Sequence, residues 1–118
     1  EVDGRCLPWS ASSLVLASVV CDVGLGLRVS YRAGEDALRP HVIVSGLPPR
    51  RLGPRLPRVL RGVSIGNAGE PLHYDALTTR LVLRFGSRAG HVVVDGDLER
   101  VTTATVTAGP VLRILAPR

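Results

Sequence analysis

Three features predict a mainly β protein, an antiparallel β-sandwich of about seven or more short strands with one short helix near residues 57–61. Short runs rich in Val, Leu and Thr recur along the chain. Turn signals built on Gly, Asp and Pro separate them. The apolar content is 45% but aromatics are only 3%, so the core must be aliphatic. A chain of 118 residues suits one domain, here residues 1–118. About two thirds of the extended-chain surface can be buried at this size.

The elements follow in order. Val2-Asp3-Gly4-Arg5 reads as a strand end and a turn. Residues 13–20 (SLVLASVV) read as a buried strand, broken by Gly24-Leu25-Gly26. Residues 27–31 (LRVSY) alternate apolar and polar, which suits a half-buried strand. A polar loop over 33–40 leads to a strand at 41–45 (HVIVS). Further strands are expected at 79–85, 91–94, 101–108 and 111–116, with Asp95-Gly96 and Gly109-Pro110 as turns. Residues 47–62 depart from the pattern with four Pro and five Arg. Pro54 and Pro57 limit any helix there to a short one after Pro57, stopped by Gly62.

Composition excludes some chemistry. The net charge is +5, and all fifteen basic residues are Arg. Without Lys there is no phosphate-gripping P-loop Lys and no Schiff-base Lys in this chain. The Arg, Ala, Gly and Pro excess reads as coding bias, so the charge is weak support for nucleic acid binding. The scattered Trp9, Tyr31, Tyr74 and Phe85 offer no stacking platform beside basic groups, so no nucleic acid partner is expected. Cys6 and Cys21 lack partners at zinc spacing. They read as reduced thiols in a cytoplasmic protein, with a Cys6–Cys21 bridge as the alternative. The longest apolar run, residues 14–21, falls far short of the ~18 residues that span a membrane. The chain starts at Glu1 without Met, which suggests a domain cut from a longer protein.

Several constellations carry two readings. Asp95-Gly96-Asp97 reads first as a type I′ hairpin turn, for which Asp-Gly is a favoured pair; the sharper reading is a carboxylate held at a strand end, able to take a proton from a hydroxyl. Val-Asp-Gly also occurs at residues 2–4, so the tripeptide alone discriminates nothing. Gly24-x-Gly26 can let a backbone approach a phosphate, but it lacks a third Gly and a following helix, so a loop between strands is the plainer reading. Arg50, Arg51, Arg55, Arg58 and Arg61 either face anionic lipid or form a solvated face. His73-Tyr74-Asp75 has no nucleophile elbow near it and reads as a turn before the strand at 79. His41 and His91 read as ordinary edge residues, and Glu35-Asp36 as a hydrated acidic loop with no metal.

In order, these pieces resemble the C-terminal β-rich domain of bacterial diacylglycerol kinase-like lipid kinases, the superfamily that includes sphingosine kinases. Three segments carry the resemblance. The first is Val2-Asp3-Gly4-Arg5, the strand at 14–20 and the Gly loop before Leu27-Arg28-Val29. The second is residues 56–62 (LPRVLRG), similar to the family's short helix. The third is Val92-Val93-Val94-Asp95-Gly96-Asp97 followed by residues 108–117 (AGPVLRILAP), similar to its closing pattern.

The resemblance implies a substrate-side β-sandwich beside an N-terminal ATP-binding α/β domain that this chain lacks. The active-site cleft would run between the two, with Asp95, Gly96, Gly24 and Gly26 as cleft-lining candidates. The family's usual Glu after Asp-Gly is Asp97 here, whose shorter side chain weakens direct proton acceptance. The family's acidic stretch associated with a structural Mg²⁺ corresponds to Glu35-Asp36, where only Asp36 matches, so that metal site is expected to be absent. No Gly-Gly-Asp-Gly-Thr motif occurs. Phosphoryl transfer is mostly positioning and charge neutralisation, so the fragment is expected to be inactive alone, with ATP and Mg²⁺ belonging to a full-length parent. The expected partners are that ATP-binding domain, a lipid substrate and an anionic membrane surface at the inner face of the membrane. The rival expectation is a freestanding β-sandwich binding or assembly module without catalysis.

Overall fold

The architecture is organised by one five-residue strand. A computed structural model describes residues 1–22, 24–66 and 69–111. In it, β2 (His41–Ser45) is buried at every position and sits between β1 (Leu14–Ser18) and β3 (His73–Leu77) in an antiparallel sheet. The register sets Ile43 opposite Leu16 on one side and Asp75 on the other. Side chains alternate across a strand, so the sheet has two distinct faces. On one, Ile43 packs with Leu14, Leu16, Val29, Leu47, Leu52, Val59 and Ile65. On the other, Val42 and Val44 pack with Val2, Leu81, Val15, Ala17 and Val106. A strand covered on both faces must be apolar nearly throughout, and the Val-Ile-Val centre of β2 meets that need.

The second face is covered by β4 (Arg80–Arg84) and β7 (Thr103–Thr107), which pair antiparallel. Two antiparallel layers therefore face each other, as the sequence predicts. The N-terminal residues guard the outer edge of β4. Val2 bridges to Leu81, the Val82 amide donates to the Glu1 carbonyl, and the Asp3 amide donates to the Arg80 carbonyl. An open strand edge is a template for unwanted pairing, and this segment occupies it.

The first face is covered by loops and a string of short helical turns: α1 (Pro49–Leu52), a 3₁₀ turn (Gly53–Arg55) and α2 (Leu56–Leu60). The sequence led to one short helix after Pro57. The helical stretch starts earlier because Pro sits in the first turn of each piece, where its missing N–H has no partner to lose. Leu52 and Val59 point into the core.

Other expectations are corrected. Residues 27–31 form turns rather than a strand, because the Arg28 amide donates to the Leu60 carbonyl and the Ala33 amide to Ser30. Residues 73–75 open β3 instead of a turn, because pairing with β2 satisfies their backbone. The run 101–108 is not one strand. It breaks at Thr102, whose carbonyl accepts from the Phe85 amide, and divides between β6 (Asp97–Val101) and β7. Gly109-Pro110 makes no turn. The strand expected at 111–116 lies, beyond Val111, outside the described residues.

β5 (Gly90–Val94) and β6 pair only with each other among the described residues. Val93, Val94 and Leu98 remain 55–68% exposed on this hairpin. The molecule is elongated, with extents of 50 × 31 × 25 Å.

Gly62 follows α2 with φ +74°, and a Cβ there would lie 2.6 Å from the Arg28 carbonyl oxygen and 2.9 Å from the Tyr31 Cβ. Backbone strain and overpacking add, so Gly62→Ala is expected to lower unfolding stability by roughly 2–4 kcal/mol. Urea denaturation checks this; an unchanged midpoint contradicts the close approach.

Candidate functional site

Two polar centres stand out, one buried and one exposed. The buried centre sits on the first face of the three-stranded sheet. His41 is fully buried at the start of β2, and its Nε2–H donates to Asp75 Oδ1 at 2.6 Å. The Tyr31 hydroxyl donates to the same carboxylate at 3.1 Å, and its ring meets His41 edge-on with centroids 5.0 Å apart. Register explains the pairing: Asp75 lies opposite Ile43, so His41 and Asp75 are diagonal neighbours on one face.

Burial pushes the Asp75 carboxyl up. The hydrogen bond from His41 and the nearby Ser64 and Tyr31 hydroxyls together outweigh it, and the carboxyl is held below its ordinary value. The Ser64 hydroxyl lies beside the pair without closing a hydrogen bond of its own. Burial, then the Asp75 charge, raises the Tyr31 phenol. A carboxylate that orients an imidazole is half of a familiar catalytic arrangement. Here His41 Nδ1 is also buried and has no partner among the described residues. The His41–Asp75 hydrogen bond makes a clamp between β2 and β3. His41 is therefore no edge residue. The signal was present in the sequence: read as a strand, His73, Asp75 and Leu77 share one face.

The exposed centre is the tip of the β5–β6 hairpin. Val94 pairs with Asp97, leaving Asp95-Gly96 as a two-residue loop with φ of 50° and 95°. This is the twist-matched I′ turn. Val2-Asp3-Gly4-Arg5 makes the same turn, with φ of 46° and 80° and Val2 bridged to Arg5. The carboxylates differ in use. Asp3 accepts from the Thr79 amide, the Thr79 hydroxyl and the Arg80 amide at 2.6–2.9 Å. Asp95 and Asp97 are exposed and form no hydrogen bond or ion pair among the described residues.

The remaining candidates divide. Gly24 and Gly26 lie in a turn with positive φ, closed by the Leu27 amide on the Gly24 carbonyl and by the Gly24 amide on Asp22. No hydrogen bond among the described residues joins this loop to the hairpin. The five Arg differ in their partners. Arg51 and Arg55 both donate to Glu70 Oε2, at 3.1 and 2.5 Å. The Arg55 hydrogen bond leads in holding the Glu70 carboxyl below its usual range. Arg50, Arg58 and Arg61 are exposed and unpaired among the described residues. Glu70, a buried acid that holds Arg51 and Arg55, was the missed residue. Asp36 pairs with Arg39 at 3.4 Å and Glu35 with Arg32 at 3.1 Å. No group of three or more His, Cys, Asp or Glu side chains among the described residues is arranged to hold a metal ion. Neither cysteine forms a disulfide. No described helix is long and apolar enough to cross a membrane.

Comparison of the chain with protein-family models, with curated proteins and with solved structures finds no match.

Removing the Asp75 carboxylate leaves His41 and Tyr31 without their partner in a buried site. Asp75→Ala is expected to lose about 3 kcal/mol, measured by urea denaturation at neutral pH; a loss below the scatter of surface substitutions contradicts the clamp. His73 gives a pH dependence. Burial lowers its pKa below the ordinary imidazole value of 6.5, and both ring nitrogens lack partners among the described residues. The unfolded chain then binds the proton more readily, so this contribution is complete above pH 6.5 and is lost as the pH falls below it. His73→Leu should flatten the decline of stability between neutral pH and pH 5.5; an unchanged decline contradicts the assignment.

Proposed function

We propose that residues 1–118 are the substrate-side domain of an ATP-dependent lipid kinase of the diacylglycerol kinase-like class, inactive without a nucleotide-binding partner domain. One observation carries the reading beyond the resemblance. The Asp95-Gly96-Asp97 tip is a tight turn on an arm that no other described strand pairs with, its carboxylates without partners among the described residues, and Val93, Val94 and Leu98 are exposed beside it. A two-stranded ribbon is at best marginal in water alone, and a free carboxylate at its tip suits a site completed by a second surface. In this reading an N-terminal ATP-binding domain supplies that surface.

Nucleotide and Mg²⁺ do not fit the described residues, which offer neither a phosphate loop nor a metal-binding cluster. They belong to the partner domain. This chain's own contribution is to present Asp97 to a lipid hydroxyl, where a carboxylate can accept or orient its proton. The protein would work as a peripheral protein at the inner face of an anionic membrane, where such a lipid resides.

The second reading, a freestanding binding or assembly module, is favoured by the same uncovered hairpin. β5 offers a strand edge whose only titratable side chain is His91, so nothing acidic or Arg-like guards it against pairing with another chain. Analytical ultracentrifugation separates the two: stable self-association of the 118-residue chain through β5 supports assembly.

The direct test is phosphorylation of diacylglycerol with ATP and Mg²⁺ by a chain joining an ATP-binding domain to residues 1–118. Asp97→Asn is expected to lower turnover by about 100-fold or more, without changing thermal stability. Full activity in the variant overturns the role of Asp97, and no activity in the unaltered protein overturns the kinase reading.

A further inference from the structure

The loop after β1 exposes apolar side chains that no described part of the fold covers. Leu25 is 99% exposed, at the crest of the Gly24–Leu27 turn with φ +53°. Val19 and Val20, six and five residues before it in the chain, are 57% and 56% exposed. A single exposed Leu is ordinary, but three exposed apolar residues on one loop mark an interaction surface when the rim is informative.

The rim here is basic. The Arg28 amide donates to the Leu60 carbonyl, which fastens the end of the loop to the end of α2. Gly62 permits this because it has no Cβ to strike the Arg28 carbonyl. Arg28 therefore neighbours Arg61, with Arg58 one turn back on α2. Arg28, Arg58 and Arg61 are exposed and make no ion pair among the described residues, whereas Arg51 and Arg55 are engaged by Glu70. The guanidinium of Arg28 makes only a long 4.0 Å contact with Cys21 Sγ. One acid, Asp22, belongs to the loop, and its carboxylate accepts from the Gly24 amide and so shapes the turn.

We propose that this face docks on an anionic lipid bilayer, with Leu25, Val19 and Val20 entering the headgroup–acyl boundary and Arg28, Arg58 and Arg61 on the lipid phosphates. The partner follows from the combination. A water-soluble anion has no use for an uncovered Leu, and a neutral apolar partner has none for three unpaired cations. A bilayer surface with anionic headgroups satisfies both, through apolar burial and about 1 kcal/mol per basic side chain near the surface. The inference deepens the peripheral-membrane part of the proposed function. It does not require the kinase chemistry, and diacylglycerol phosphorylation in detergent separates the two.

The experiment is sedimentation of the 118-residue chain with vesicles of phosphatidylcholine alone and of phosphatidylcholine mixed with phosphatidylglycerol. Binding is expected only to the mixed vesicles and should weaken at high salt. Leu25→Ser should weaken it roughly tenfold, and Arg58→Gln and Arg61→Gln roughly fivefold each. Arg88→Gln, an exposed Arg on another loop, is the control and should change little. Equal losses from Arg88→Gln and Arg61→Gln overturn the assignment, because the net charge rather than this face would then be responsible. Absence of binding to mixed vesicles also overturns it, as does a Leu25→Ser variant that binds undiminished.

Discussion

Strand β2 has water on neither face, and the rest of the structure is arranged to keep it so. Val42 and Val44 need the β4–β7 pair; Ile43 needs the loops and helical turns. His41 at the end of the same strand can be fully buried only because Asp75 and Tyr31 stand beside it. Burying a polar group without a partner costs several kcal/mol, so the clamp and the sandwich depend on each other. The helical stretch follows from the same demand. Leu52 and Val59 must reach the sheet through a Pro-rich segment, and short Pro-started turns are the helices that segment can make.

The parts of the fold legible in the sequence were those where composition and structure agree. The Val- and Leu-rich runs of β1, β2, β4 and β5 are strands, and Asp95-Gly96 is the hairpin turn. What escaped was set by partners distant in the chain. β3 reads HYDAL, which has no strand-like composition, and only its pairing with β2 makes it a strand. The run LRVSY has a strand's alternation, yet its backbone bonds elsewhere and Val29 and Ser30 are buried in turns. The His41–Asp75 clamp needed both facts, a strand at 73 and its register, before it could be seen. At the hairpin, the residues of the tip were legible, but its exposure on an uncovered arm was not.

The two Val-Asp-Gly turns show how little a motif decides. Their backbones agree, yet Asp3 is consumed in fixing the start of β4 while Asp95 and Asp97 face solvent. The Arg residues tell a similar story. Of the five in the Pro-rich segment, Arg51 and Arg55 are engaged by Glu70, whereas Arg50, Arg58 and Arg61 make no ion pair among the described residues. Context supplied by the fold separates residues that the sequence presents as equivalent.

The domain joins a locked centre to an arm that no other described strand pairs with, and the proposed role of Asp97 depends on that contrast. Native-state hydrogen exchange on the 118-residue chain tests it most directly. Amides of β2 are expected to exchange only through global unfolding, and those of the β5–β6 hairpin through local opening at far lower free energy. Hairpin amides as protected as those of β2 would contradict the account, since the arm would then already be covered and no second surface would be needed to complete the site.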